Sequence, residues 1–203
     1  MKKYHLSLLL FLFIVGCKPE KDPIIVNQFT KDDFPIAVGN WWKYKHTDFL
    51  SNTTDTILLR VISLQTNTTS SKEYTCIVEE FGQVVDTAKL ILGDSTIAYN
   101  SYNPNYSYFG DFFMTAPFKV DSKWANSIYN DSTTVISYSE GVKYNGVPYN
   151  VFFLKRTVSS INYHVVQTIS VAKGIGIIEH VFNYREMVPI QSQNLQLIDY
   201  HLN

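Results

Sequence analysis

Apolar and polar residues alternate with a period of two along much of this chain. The clearest case is the last segment, where Leu195, Leu197, Asp199 and His201 oppose Gln196, Ile198 and Tyr200. In a strand, successive side chains point to opposite faces, so this pattern predicts a strand with one face inward. Runs rich in Tyr, Phe, Val, Ile and Thr cover residues 41–49, 56–64, 73–81, 84–92, 95–102, 133–138, 151–158, 163–171 and 177–184. These residue types suit pleated, half-buried surfaces. Turn signals separate the runs at Gly82-Gln83, Gly93-Asp94, Asn145-Gly146 and Gly174-Ile175-Gly176. Asn145-Gly146 is the strongest of them, because a two-residue hairpin loop needs left-handed backbone at both positions. No window of about a dozen residues carries a capped helical stripe. The spacing therefore predicts an all-β domain, built as an antiparallel curved sheet, a barrel or a sandwich. A parallel sheet would need crossover helices, and the pattern supplies none.

The N-terminus follows a different rule. Lys2 and Lys3 precede an apolar run over residues 6–15, then Gly16 and Cys17. The run is too short to cross a bilayer as a helix and has the layout of a secretory signal. A small residue directly before cysteine resembles the bacterial lipobox. That resemblance implies cleavage before Cys17, lipid on its sulfur, and partnership with a membrane through this N-terminal lipid. The organisation read from the sequence is a lipoprotein signal peptide (1–16), a lipidated Cys and flexible tether (17–33) and a single β domain (34–203). The tether holds Lys18-Pro19-Glu20-Lys21-Asp22-Pro23. From Cys17 to Phe34 it reaches at most roughly 55 Å when extended.

The full chain carries a formal net charge of −1, and loss of Lys2 and Lys3 takes this to about −3. No basic stripe stands out, so nucleic acid is not an expected partner. If Cys17 carries lipid, Cys76 has no partner, and its place in Tyr74-Thr75-Cys76-Ile77-Val78 reads as a buried structural thiol. One internal echo crosses the chain. Residues 35–42, starting at Pro35, and 117–124, starting at Pro117, share P-x-x-V-x-x-x-W. A repeat of one strand-launching device and chance both explain it at this level.

The string Phe34-Pro35-Ile36-Ala37-Val38-Gly39-Asn40-Trp41-Trp42-Lys43-Tyr44 resembles the opening strand of a broad set of Bacteroidetes lipoproteins of unknown function. The segment Ile169-Ser170-Val171-Ala172-Lys173-Gly174-Ile175-Gly176-Ile177-Ile178-Glu179 resembles their C-terminal strand pair. Val147-Pro148-Tyr149-Asn150-Val151 falls where they carry a Val-Pro turn, without the Gly and Thr usual there. The resemblance implies an antiparallel β domain and a cell-envelope location, as an outer membrane lipoprotein facing the periplasm or the surface. It implies no catalytic residues. A thinner likeness is Gly39-Asn40-Trp41, similar to the G-x-W that opens lipocalins. It implies a barrel carrying a small apolar ligand.

Enzyme signatures are missing. There is no G-x-S-x-G elbow, no P-loop and no H-E-x-x-H. His164 and His180, with Glu179 or Asp199, offer zinc-ligand types, but without metal-site spacing they read as separate strand histidines. Glu79 and Glu80 are adjacent in a strand and face opposite sides. No cofactor, metal or catalytic residue is expected from this chain. An envelope hydrolase with an unrecognised site stays as the third reading. The densest aromatic stretch is residues 99–118, and within it Tyr102, Tyr106, Tyr108, Phe109 and Asp111 are the candidate ligand-binding residues. Tyrosine offers an apolar face with a polar tip, which suits an envelope glycan or protein. The first functional expectation is a lipid-anchored, non-enzymatic binding or scaffolding domain, and the second a lipocalin-like carrier. Replacement of Cys17 by Ala is expected to abolish acyl labelling and move the protein out of the membrane fraction. Persistence of both would overturn the anchor.

Overall fold

A computed structural model describes residues 27–102, 108–109, 111–126, 131–159, 164–185 and 192–203. The signal peptide, Cys17, the first part of the tether and Tyr106 lie outside these residues. The alternating runs form β1 (Trp41–Asp48), β2 (Thr53–Asn67), β3 (Ser71–Glu80), β4 (Gln83–Gly93), β5 (Thr96–Ser101), β6 (Phe112–Thr115), β7 (Lys123–Asn126), β8 (Asp131–Tyr144), β9 (Val147–Ser159), β10 (His164–Ala172), β11 (Gly176–Arg185) and β12 (Ser192–His201). They make one antiparallel sheet in the order β6-β5-β4-β3-β2-β1-β12-β11-β10-β9-β8-β7. The sheet curls into a nearly closed barrel. Its two end strands approach at a seam where the Trp124 indole Nε1 donates to the Phe113 carbonyl at 2.9 Å. The short strands β6 and β7 fall between the runs read from the sequence.

Local chemistry accounts for the hairpins. Asn145 and Gly146 take φ of 49° and 82° between β8 and β9, the left-handed pair that their side chains favour. The β3–β4 turn lies one residue earlier than the Gly82-Gln83 signal. Its central residues are Phe81 and Gly82, with φ of 49° and 76°.

The sequence echo is a structural repeat. Gly39 and Asp121 both take positive φ, 92° and 68°. Asn40 N donates to the Ala37 carbonyl at 3.1 Å, and Ser122 N to that of Lys119 at 3.0 Å. Gly39 N and Asp121 N reach the carbonyls of Val61 and Val135, and those residues return amides to Asn40 and Ser122. Each turn therefore stitches the start of one strand, β1 or β7, to the strand that follows it, β2 or β8. The barrel is two six-stranded meanders, β1–β6 and β7–β12, joined where β1 pairs with β12.

Inward positions follow the period of two. In β1 they are Trp42, Tyr44 and His46, all buried. Between β11 and β12 the ladder runs only from the pair Glu179–Gln196 to the pair Asn183–Ser192. The carbonyls of Ile175 and Ile177 lie beyond it. Trp42 Nε1 donates to the first at 2.7 Å and the Tyr44 hydroxyl to the second at 2.9 Å. Burial pushes the Tyr44 phenol far above its ordinary value, so it remains a donor.

The chain ahead of β1 closes one mouth of the barrel. Phe29 exchanges backbone hydrogen bonds with Phe118 at 2.8 and 2.9 Å and stacks on its ring at 4.8 Å. Asp33 accepts the Gly174 amide at 2.8 Å. Phe34 lies over Gly176, whose φ is 99° and where an added Cβ would come within 3.4 Å of the ring. Residues 27–34 thus form a strap across the mouth, and Phe29 is fully buried. The folded part begins before residue 34, inside the stretch read as tether. Between the rings of Phe34, Trp42, Tyr44, Tyr99, Phe109 and Phe112 lies a cavity of about 20 Å³, room for roughly one water.

Trp42 is 2 % exposed, while Trp41 is half-buried on the outer face against the His201 ring. Trp42→Ala is expected to cost about 3–5 kcal/mol in chemical denaturation, and Trp41→Ala about 1 kcal/mol. Equal small losses would mean that the strand does not present Trp42 to the core.

Candidate binding rim

Consecutive strands alternate direction, so the β1–β2, β3–β4 and β5–β6 connections all fall at the end opposite the strap. Here the interior turns from apolar to polar. The inward stripe of β9 reads Phe152, Leu154, Arg156, that of β10 Val165, Gln167, Ile169, and that of β11 Ile178, His180, Phe182, all buried. Asp131 at the start of β8 is buried beside them.

Arg156 organises this end. Its Nε and Nη2 donate to Asp131 Oδ2 at 2.8 and 2.6 Å. Its Nη1 donates to Gln167 Oε1 at 3.3 Å and to the backbone carbonyl of Asp111. Gln167 Oε1 also lies 3.3 Å from His180 Nε2. The guanidinium therefore ties β8, β9 and β10, and through Gln167 also β11, to the chain leading into β6. Removing one partner of such a buried pair typically costs about 3–5 kcal/mol, because the other charge is left without compensation. Burial, reinforced by the Arg156 charge, pushes the His180 pKa down to about 3. His180 is a neutral imidazole at pH 7.

Across the interior, His46 Nδ1 meets Asp55 Oδ1 at 2.9 Å, and the His46 ring meets Tyr108 edge-on at 5.1 Å. The Tyr108 hydroxyl donates to Glu80 Oε2 at 2.8 Å. Phe109 packs edge-on against Tyr44 at 5.1 Å and Tyr99 at 5.5 Å. This mouth is thus covered by Tyr108 and Phe109, as the other is by the strap.

The candidate residues separate by exposure. Tyr102 is 59 % exposed, with Lys89 Nζ 5.9 Å from its ring centre. Tyr108 is half-buried and Phe109 is 1 % exposed, so Phe109 belongs to the core and offers a partner no surface. The Asp111 carboxylate is exposed and accepts the Ser101 amide at 2.8 Å. Tyr106 lies outside the described residues. The structure thus brings Tyr102, Tyr108 and Asp111 to one rim. His164 and His180 do not form a joint site. His180 is inward and buried, whereas His164 is half-buried and lies 2.8 Å from Ser159 Oγ.

The Arg156 network is not among the sites expected from the sequence. Its signal was present: Arg156, Gln167 and His180 occupy inward places of the period-two pattern, where a polar residue needs a partner. Phe49, Leu50, Phe81 and Val84, which are exposed on the β1–β2 and β3–β4 tips, are not among those sites either.

No protein-family model matches the chain, and no curated protein matches it. Among solved structures, it is similar to a proposed lipoprotein from Parabacteroides distasonis ATCC 8503. The identity is 12 %, the TM-score 0.48, and the match covers 83 % of this chain and 97 % of that one. It is also similar to a proposed exported protein with a YmcC-like fold from Bacteroides fragilis NCTC 9343. There the identity is 9 %, the TM-score 0.49, and the coverage 83 % and 98 %. Likeness at this level says nothing about the site.

His180 links the network to pH. Its folded pKa of about 3 lies below the unfolded value of 6.5, so on acidification the unfolded chain takes up the proton first. The stability it confers is complete above pH 6.5 and is lost as pH falls towards 3. The slope in that window is about 1.4 kcal/mol per pH unit. His180→Gln is expected to remove this slope from urea-unfolding stabilities measured between pH 4 and 6.5. An unchanged slope would show that His180 is not held neutral.

Proposed function

We propose that this chain is a lipid-anchored β domain of the cell envelope. It is held on the outer membrane through Cys17 and binds or scaffolds a glycan or protein without catalysing a reaction. The supporting observation is where accessible chemistry remains. Among the described residues the barrel interior is packed with side chains, a strap and the Tyr108–Phe109 pair lie over its mouths, and Tyr102 stands exposed beside Lys89 at the rim that also carries Asp111. An exposed tyrosine supplies contact area with few rotors to freeze. A connection on a rigid barrel is a common place for recognition. Arg156 and Tyr108 hold the end of this connection that leads into β6 against the barrel.

The test is retention of the purified protein on isolated peptidoglycan and on lipopolysaccharide vesicles. Tyr102→Ala is expected to leave unfolding stability within about 0.5 kcal/mol of wild type and to weaken retention several-fold. Equal retention of wild type and variant would remove Tyr102 from the contact surface. No retention on either material would remove the glycan and leave a protein partner.

A further inference from the structure

The most exposed large apolar side chain among the described residues breaks a local rule. Phe81 is 83 % exposed and sits in left-handed backbone at the first central position of the β3–β4 turn. The same chain builds the same kind of turn with Asn145, at the same φ of 49°. Asn, Asp and Gly suit that position, and an aromatic ring does not. Phe81 gains no core contact in exchange, since it points into solvent. Side chains that violate local preference without a packing reward concentrate at functional sites.

Phe81 has apolar company. Val84 beside it is 57 % exposed, and Phe49 and Leu50 on the β1–β2 tip are 59 % and 50 % exposed. Glu80, next to Phe81, pairs with Ile57, while Asp48 pairs with Thr53, so at this end of the barrel the β1–β2 tip reaches roughly 13 Å further along the strands than the β3–β4 tip. The β1–β2 tip also hides its backbone. The Asp48 carboxylate accepts the amides of Leu50 and Ser51 at 2.8 and 3.3 Å, and Ser51 Oγ meets Thr53 Oγ1 at 2.7 Å. These bonds leave fewer tip amides to be stripped of water, provided that the Asp48 carboxylate itself stays hydrated.

We propose that these two tips dip into the surface of a lipid bilayer, with Phe81 and Leu50 as the inserted side chains. Two separate apolar points suit a soft, fluid surface better than a shaped protein pocket. The bilayer is also within reach. The stretch from Cys17 to Asn27 extends to roughly 35 Å. The eight residues of β1 rise roughly 26 Å along the strand, and less along a tilted barrel axis. A lipid on Cys17 therefore permits the opposite rim to meet the same membrane. The location of that bilayer rests on the anchor reading above; the insertion itself does not. Asp48, held ionised by the bonds that outweigh its desolvation, and the exposed Asp111 place negative charge at this rim. Insertion is accordingly apolar in origin and disfavours anionic lipid.

The experiment uses the mature chain from residue 17 with Cys17→Ser, so that no lipid is attached, in co-sedimentation with phosphatidylcholine vesicles. The protein is expected to bind, to bind no better when phosphatidylglycerol is added, and to stay bound in high salt. Phe81→Asn is expected to lower partitioning about tenfold, the transfer free energy of a largely buried ring. It should not lower the melting temperature, because Asn suits the turn. Leu50→Ser should weaken binding, and Ile62→Ser, on the barrel wall, should not. No vesicle binding by the wild type overturns the proposal, also if the chain then self-associates or takes a protein. So does binding that Phe81→Asn leaves intact, or binding confined to anionic vesicles and lost in salt. Absence of acyl labelling at Cys17 in cells would overturn the anchor alone and leave the vesicle result standing.

Discussion

A curled sheet must satisfy its backbone wherever neighbouring strands part, and this barrel depends on how it does so beside β12. The strand pairs fully with β1 but leaves β11 before that strand's beginning. The carbonyls of Ile175 and Ile177 lie beyond that ladder, and a buried carbonyl left without a donor costs about 1–3 kcal/mol. Trp42 and Tyr44 supply those donors from across the interior. A single pair of aromatic side chains thus fills volume and completes the hydrogen bonding. This explains why the opening strand is so aromatic, and why the strap and Gly176 must lie where they do. Phe34 rests on the turn whose Ile175 carbonyl Trp42 holds.

The two mouths are closed by unlike chemistry. At the strap end the plug is apolar, with Phe29, Phe118 and Phe152 meeting face to face and edge to face. At the other end a guanidinium, a carboxylate, an amide and an imidazole form a network reaching out to Asp111. An apolar plug tolerates some sliding. A bidentate ion pair in a low dielectric does not, because a small displacement strands a charge. The rim that carries the candidate contact residues is therefore the geometrically stricter one, a useful property for a recognition edge.

Most of the strands were legible because their signal is a period, and a period survives over ten or so residues. The long hairpin β8–β9 was marked by Asn145-Gly146, and alternation alone required Trp41 and Trp42 to face opposite sides without saying which is inward. The four-residue strands β6 and β7 were not legible, since so short a run shows no period. The turn at Phe81 was misplaced by one residue because an aromatic ring does not announce left-handed backbone. At the candidate site, aromatic density pointed to one connection but not to the direction of each ring. Phe109 turned inward beside Tyr108, and only the barrel's curvature decides that. The P-x-x-V-x-x-x-W echo was visible in the sequence, yet its meaning came from paired hydrogen bonds that no string of letters displays.

The repeat leaves two seams of unequal quality. Where the halves meet at β1 and β12, a ladder runs from Trp41 to Asp48. Where they meet at β6 and β7, the strands shrink to four residues each and an indole reaches across to a carbonyl. A ladder opens only by losing many bonds together, while a side-chain latch can release alone. Breathing motions of the barrel should therefore begin at the latch and leave the opposite seam as a hinge. Amide exchange in β6 and β7 would then report local opening, and exchange along β1 the global event. The molecule would behave as a clasped bracelet, not as a uniform ring.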